Sequence, residues 1–419
     1  MEHFPQEISG DLQYEQDHKL NSYYLVPEIR KKFNAEFTQQ KYEAFVKDLN
    51  TTYDFPIEFR IAETPIFIGK EFKNEILNAV DIITSYLMSP EYQKISLNAI
   101  PEGMAVPNDP GYPAMMAIDF AICKDEYGKF IPKLIELQGF SSLFFYELLQ
   151  NYMFRKHFII DERYGGLFNI HKPDEYLDIL KKVVIGDSNP ENVILLEIEP
   201  DNQKTRIDFE CCYTYIGVKP VCLSDITKEG KDLFYMNNGK KTKVERIYNR
   251  VIFDELERRK DLKFNFSFQD ELNVTWVPHP NWFYRISKYS LPFLKNKYVP
   301  ETKFLSDIDT YPSDLENYVL KPLFSFAGVG VVFDVTKEIL DGITDRTNYI
   351  LQKKINYEPV IVTPDQPAKA ELRLLFVHNE GKPYLVNNLV RLSKGKMMGV
   401  DFNKEKTWVG SSLAYFEHL

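Results

Sequence analysis

Apolar and polar positions alternate most informatively towards the end of the chain. Tyr318-Val-Leu-Lys321 and Val329-Gly330-Val-Val-Phe333 are β-rich runs on either side of a small loop, which predicts a strand, a flexible turn and a returning strand. Asn348 to Ile355 predicts a further strand, and Ala370 to Val377 turns at His378-Asn-Glu-Gly381 into Tyr384 to Arg391, a hairpin. A second hairpin is predicted earlier, from Ala114–Cys123 through Gly128 to Phe130–Gln138. Side chains alternate across a strand, so Glu136 and Gln138 share a face, and counting from the turn brings Asp119 opposite them. Helical spacing predicts helices over 31–49 and 70–88, the latter through Ile76, Leu77, Val80, Ile83 and Leu87. Between them, residues 57–61 alternate like a short strand. Over 176–290 the pattern gives a buried strand at 192–198, a helix at 202–215 stopped by Gly217, and a strand at 218–223. A turn at Asn237-Asn-Gly239 then leads to residues 243–250 and a helix reaching Arg259.

Composition narrows the possible partners. The 419 residues carry 51 basic and 61 acidic side chains, a net charge of -10, so the broad positive field that nucleic acid or an anionic membrane requires is absent. Small-molecule substrates fit better. Cys123, Cys211, Cys212 and Cys222 form no CxxC pair, which suits reduced thiols. The opening residues show neither a basic start nor an apolar core, and no run approaches the ~18 apolar residues of a membrane span. The expectation is a cytoplasmic protein.

Candidate chemistry lies in two stretches. Lys321, Ser325, Gly328 and Gly330 fit a phosphate cover, because glycines let backbone N–H groups approach phosphate oxygens while a lysine supplies charge. A plain hairpin turn fits the same residues, and the Gly-Lys-Ser/Thr ending of a Walker loop is absent. In the earlier hairpin, Asp119, Glu136 and the amide oxygen of Gln138 converge on an apolar sheet, where a cation such as Mg²⁺ is a natural partner. The alternatives are a solvated face or pairing with Lys124 and Lys133. After Arg391 the remaining acids before Glu417 are Asp401 and Glu405, the latter between two lysines. Arg60 is a candidate for a substrate carboxylate. No Ser/His/Asp or Cys/His constellation is present, which suits chemistry that needs no enzyme nucleophile.

The order of lysine, glycine loop, hinge strand and basic hairpin resembles the nucleotide-binding half of the ATP-grasp ligases. With an Asp strand and a Glu-X-Gln strand placed before that lobe, the chain resembles the circularly permuted, glutathionylspermidine synthetase-like family over about three quarters of its length. The resemblance implies an α+β fold, with two antiparallel-sheet lobes clasping ATP, a preceding small α/β layer and N-terminal helices. It divides the chain into a helical region (1–95), the metal-ligand hairpin (96–175), a small α/β domain (176–290) and a nucleotide lobe (291–419). It also implies a carboxylate–amine ligase that forms an amide or peptide bond through an acyl phosphate. Lys321 would hold the α- and β-phosphates under the Ser325–Gly330 loop, Gln352 and Lys353 would meet the adenine, and Arg391 would reach the γ-phosphate. Asp119, Glu136 and Gln138 would hold Mg²⁺, and the Asn249-Arg250 pair would face the site unless Arg250 pairs with Asp254 or Glu255. There are two departures: Gln138 replaces an Asn, and Ala117 stands where the family has an Arg, a role left to Arg60 or Arg373. That loss keeps two other readings open, a nucleotide-binding regulatory or structural protein and a related phosphotransferase.

Overall fold

The computed structural model describes residues 25–170, 172–325, 328–395, 398–399, 403 and 405–418. The expectations for the N-terminal opening and for Asp401 fall outside these residues. Helices and five sheets mix along the chain in an α+β arrangement. At the centre is a five-stranded antiparallel sheet in the order Gly410–Ser412, Lys382–Ser393, Lys369–Asn379, Met115–Lys124, Phe130–Gln138. Both predicted hairpins are therefore present, joined edge to edge through the 369–379 and 115–124 strands. Glu380 and Gly381 both have positive φ (50° and 81°) at the turn of the second hairpin, the geometry that matches strand twist in a two-residue turn.

Alternation fixes which residues meet on each face of this sheet. Ile118, Phe120, Leu372, Leu374 and Leu392 enter one core with Phe72, Ile76 and Ile83 of the Lys70–Leu87 helix. Each fully buried aliphatic side chain there contributes about 1.5–3 kcal/mol relative to an exposed one. Ala117, Leu375, Val377 and Val386 enter a second core with Phe145, Leu148 and Leu149. The Tyr146–His157 helix covers that face. Asp119 and Arg373 are register partners and share the alternation of Ala117 and Leu375, so they lie on the second face.

A three-stranded antiparallel sheet, Thr302–Phe304, Tyr349–Lys353 and Tyr318–Pro322 in spatial order, forms the lid. Its alternation sends Leu320 and Leu351 into a small outer core and Ile350 into the main one. The middle region is a four-stranded parallel sheet, Thr275–Val277, Arg246–Asn249, Val193–Glu197, Lys219–Cys222, with a separate antiparallel hairpin sheet over 227–244. Its Asn237–Lys240 turn has Asn238 and Gly239 at φ 48° and 81°.

Three expectations change. The 31–49 helix is two helices, Pro27–Glu36 and Gln39–Thr51, because Thr38 caps the second by accepting from the Lys41 N–H. Residues 57–61 form no strand. Only Ile61 pairs, in a single bridge with Ser411. The returning strand after the glycine loop reduces to one bridge, Leu320 to Val332, because Gly328 and Gly330 adopt positive φ (78° and 73°) just before it.

The site-bearing strand ends at Gly139, whose N–H donates to the Ile286 carbonyl at 2.8 Å. A Cβ there would stand 2.0 Å from the Trp282 carbonyl oxygen, so backbone must move to admit one. Gly139→Ala is expected to lower stability by about 3 kcal/mol, read as a urea-unfolding midpoint. An unchanged midpoint would contradict this packing.

Candidate functional site

Asp119 has no exposed surface, and it takes both bonds of the Arg373 fork: Nε donates to Oδ1 at 2.7 Å and Nη2 to Oδ2 at 2.6 Å. Arg391 comes from the next strand and donates to Asp119 Oδ2 at 3.1 Å and to Glu371. Glu371 also accepts from the Tyr357 hydroxyl at 2.8 Å. Bidentate arginine–carboxylate pairs are strong and directional. Three adjacent strands are thus tied by one charge lattice across the polar part of the sheet's second face. Burial pushes the Asp119 carboxyl up, while the two guanidinium groups oppose it.

Glu136 stands opposite Asp119, as the alternation predicts, and a bulge follows that pair. Its partner is Lys288, at 2.7 Å, on the short 3₁₀ turn Lys288–Phe293 of the crossing, residues 278–301, that leads into the lid. Burial raises the Glu136 carboxyl, but Lys288, with Arg373 and Lys321 beyond it, brings it down to about 2. Lys321 reaches in from the lid, donating to Gln352 Oε1 at 2.6 Å and to the Ile135 carbonyl at 3.4 Å. Desolvation, partly offset by Glu136, lowers this lysine to about 8. Lys288 also donates to the Ser325 carbonyl at 2.7 Å, which ties the glycine loop to the sheet below.

Most of the residues singled out from the sequence therefore converge, with different partners from those expected. Lys124 pairs with Glu358 and Lys133 donates to Lys297, so neither neutralises the two central carboxylates. Gln352 is buried and holds Lys321 and Thr302 (3.0 Å), while Lys353 is exposed. Arg250 pairs with Asp208 at 3.2 Å, rather than Asp254 or Glu255, and donates to the Ser142 carbonyl. Arg60 holds Glu63 and the Val409 carbonyl. Lys288 and Glu371 were not singled out. Glu371 carried a signal, two residues before Arg373 and hence on the same face. Lys288 carried none, because its partner lies some 150 residues earlier.

A resident Mg²⁺ does not fit this arrangement. Both oxygens of Asp119 hold arginines and Glu136 holds Lys288, so a dication would have to displace cations already in place. Among the described residues no group of three His, Cys, Asp or Glu is placed to hold a metal ion. Four cations, Lys288, Lys321, Arg373 and Arg391, face three carboxylates, Asp119, Glu136 and Glu371. That balance favours an anion. Gln138 Oε1, Arg391 Nε and Ser325 Oγ are buried without a partner among the described residues, and such groups normally have one. Arg60, Arg250, Arg373, Arg391, Ser141 and Ser142 also line a cleft of about 1020 Å³ between the N-terminal region, the central sheet and the parallel-sheet layer.

No family model and no curated sequence matches the chain. Among solved structures it is similar to a glutathione synthetase-like effector from Globodera pallida, in its apo form, at 12% identity and a TM-score of 0.56, over 94% of this chain and 100% of that one. The likeness is one of fold, and it extends through almost the whole chain. No described helix is long and apolar enough to cross a membrane.

Two measurements check the charge lattice. Asp119→Asn takes the carboxylate from the buried Arg373 and one bond from the part-exposed Arg391, which keeps Glu371. It is expected to cost about 3–5 kcal/mol in urea unfolding, whereas a surface-like loss below about 1 kcal/mol would contradict the pairing. Glu136 titrates lower in the folded chain than in the unfolded one, so its contribution is present above about pH 4.5 and is lost as pH falls towards 2. Glu136→Gln is expected to flatten that part of the acid-unfolding profile, and an unaltered slope would exclude this role.

Proposed function

We propose that this chain binds ATP between the lid sheet and the central sheet and acts as a carboxylate–amine ligase. The observation that carries the reading is the pair of lysines, Lys321 from the lid and Lys288 from the crossing, that converge over Glu136. Together with Arg373 and Arg391 they leave an excess of positive charge between two antiparallel sheets, where a polyphosphate fits. The fold likeness to a glutathione synthetase-like protein supports the same reading.

In this proposal Lys321 and Lys288 hold the phosphates, with Gly328 and Gly330 above them. Gly328 and Gly330 supply the left-handed backbone this loop needs. The arginine-lined cleft takes the acid substrate, and Arg391 faces the transferring phosphoryl group with its unpartnered Nε. The substrate carboxylate attacks the terminal phosphorus, the bond to the leaving phosphate oxygen breaks, and ADP departs. An amine then displaces phosphate from the acyl phosphate. The chain's own part is positioning and charge compensation. Arg250 acts by fixing the Ser142 carbonyl at the mouth of the cleft rather than by touching phosphate.

One observation favours a second reading, a nucleotide-binding regulatory protein without turnover: Asp119, the carboxylate expected to serve a metal, is wholly engaged by arginines. ATP titration with and without Mg²⁺, followed by ADP release with mixed acids and amines, separates the two. The ligase reading expects binding and release. Binding without release leaves the regulatory reading, and no binding overturns both.

Lys321→Met is expected to weaken ATP binding roughly tenfold to hundredfold, the effect of a lost charged hydrogen bond, measured by calorimetry. Phosphate binding favours the ammonium form, so wild-type affinity falls as pH rises through about 8. Lys321→Arg keeps its charge and removes that pH limb. An affinity indifferent to Lys321→Met places the nucleotide elsewhere.

A further inference from the structure

A second cleft, of about 730 Å³, opens where the end of the lid sheet meets the parallel-sheet layer and the crossing. The charged residues lining it are Asp254, Glu257 and Asp345, and no lysine or arginine is among them. Asp254 pairs with Arg258 at 3.3 Å, an arginine whose side chain is 58% exposed. Asp345 turns its oxygens to Thr347 and Asn348.

The walls are aromatic and rigid. Tyr284 stacks on Phe253 with centroids 5.8 Å apart, and meets Phe283 and Phe324 edge to face, at 5.1 Å each. The ring is thereby fixed, and Tyr284 is only 3% exposed. Its hydroxyl has no partner among the described residues, and the charges that act on it are those of Glu257 and Asp254. Ser325 Oγ, on the same cleft, is likewise buried and unpartnered. A buried hydroxyl without a partner costs free energy that a ligand donor would recover.

We propose that this cleft binds an organic cation, a protonated amine carried on an apolar or aromatic frame. Aromatic faces attract ammonium groups, most strongly where water is excluded. The hydroxyl oxygens of Tyr284 and Ser325 accept its N–H bonds, and Glu257 and Asp254 balance its charge. The same acids repel phosphate, so the cleft is not the nucleotide's. Binding here does not rest on the ligase reading, although Ser325 connects the two places, its carbonyl holding Lys288.

The test is calorimetry on the full chain without nucleotide, using benzylammonium chloride, benzyl alcohol and benzoate as probes. Benzylammonium is expected to saturate one site, with benzyl alcohol at least about tenfold weaker and benzoate not bound. Tyr284→Phe keeps the ring and is expected to weaken benzylammonium roughly tenfold, and the exposed Glu257→Gln by about two- to fivefold. Neither removes a contact, so neither should lower the melting temperature of the unliganded chain, and Tyr284→Phe, which deletes a buried unpartnered hydroxyl, should raise it. Equal binding of the alcohol and the ammonium, or affinities unchanged in both variants, would overturn the proposal. No ATP is present, so a failure of the ligase reading would show only in nucleotide binding and leave this result intact.

Discussion

The pairing of Asp119 with Arg373 and Arg391 is the constraint on which the rest of the site depends. These groups sit on adjacent strands of one sheet, and the carboxylate has no exposed surface. Burying such charges is tolerable only when the partners are in place, because an uncompensated ion in the interior is costly. The lattice therefore locks the registers of the two hairpins against each other. With those registers set, Glu136 falls opposite Asp119, and Lys288 and Lys321 are drawn in from the crossing and the lid.

The same lattice explains why the cluster of carboxylates does not act as a vacant cation cage. Asp119 is matched here by Arg373 and Arg391 from strands more than two hundred residues away, as the Arg373–Asp119 separation of 254 residues shows, and Glu136 by Lys288 from the crossing. The surplus charge is positive, so the pocket between the two antiparallel sheets suits an anion. The negative rim lies on the far side of the Ser325 segment, where the lid end meets the Phe253 helix and the crossing.

Much of the sheet architecture was legible because turn residues bound its apolar runs, even though the central strands Met115–Lys124 and Lys369–Asn379 are buried on both faces. Asp119, Glu136 and Gln138 could be assigned to one face by counting from a turn, and the structure places them there, with Arg373 as the register partner that counting did not reach. Partner choice was not legible. Lys124 and Lys133 are close to Asp119 in sequence, yet the buried carboxylate recruits Arg373 and Arg391, which only the pairing of distant strands brings near. Lys288 and the Tyr284 hydroxyl lie in a crossing with no period to read. Short elements also misled: residues 57–61 alternate, but they lie against the Gly410 strand through a single bridge, and the glycines that free the loop after Lys321 also prevent a full returning strand.

The central claim is that a nucleotide polyphosphate occupies the space between the lid sheet and the central sheet. A crystal structure of the chain with a non-hydrolysable ATP analogue tests it most directly. The account predicts phosphate density within hydrogen-bonding distance of Lys321 Nζ and Lys288 Nζ, with the Gly328–Gly330 turn above it. An analogue seated in the acid-rimmed aromatic cleft, or lysines still bound to Glu136 and Gln352 with the nucleotide elsewhere, would contradict it.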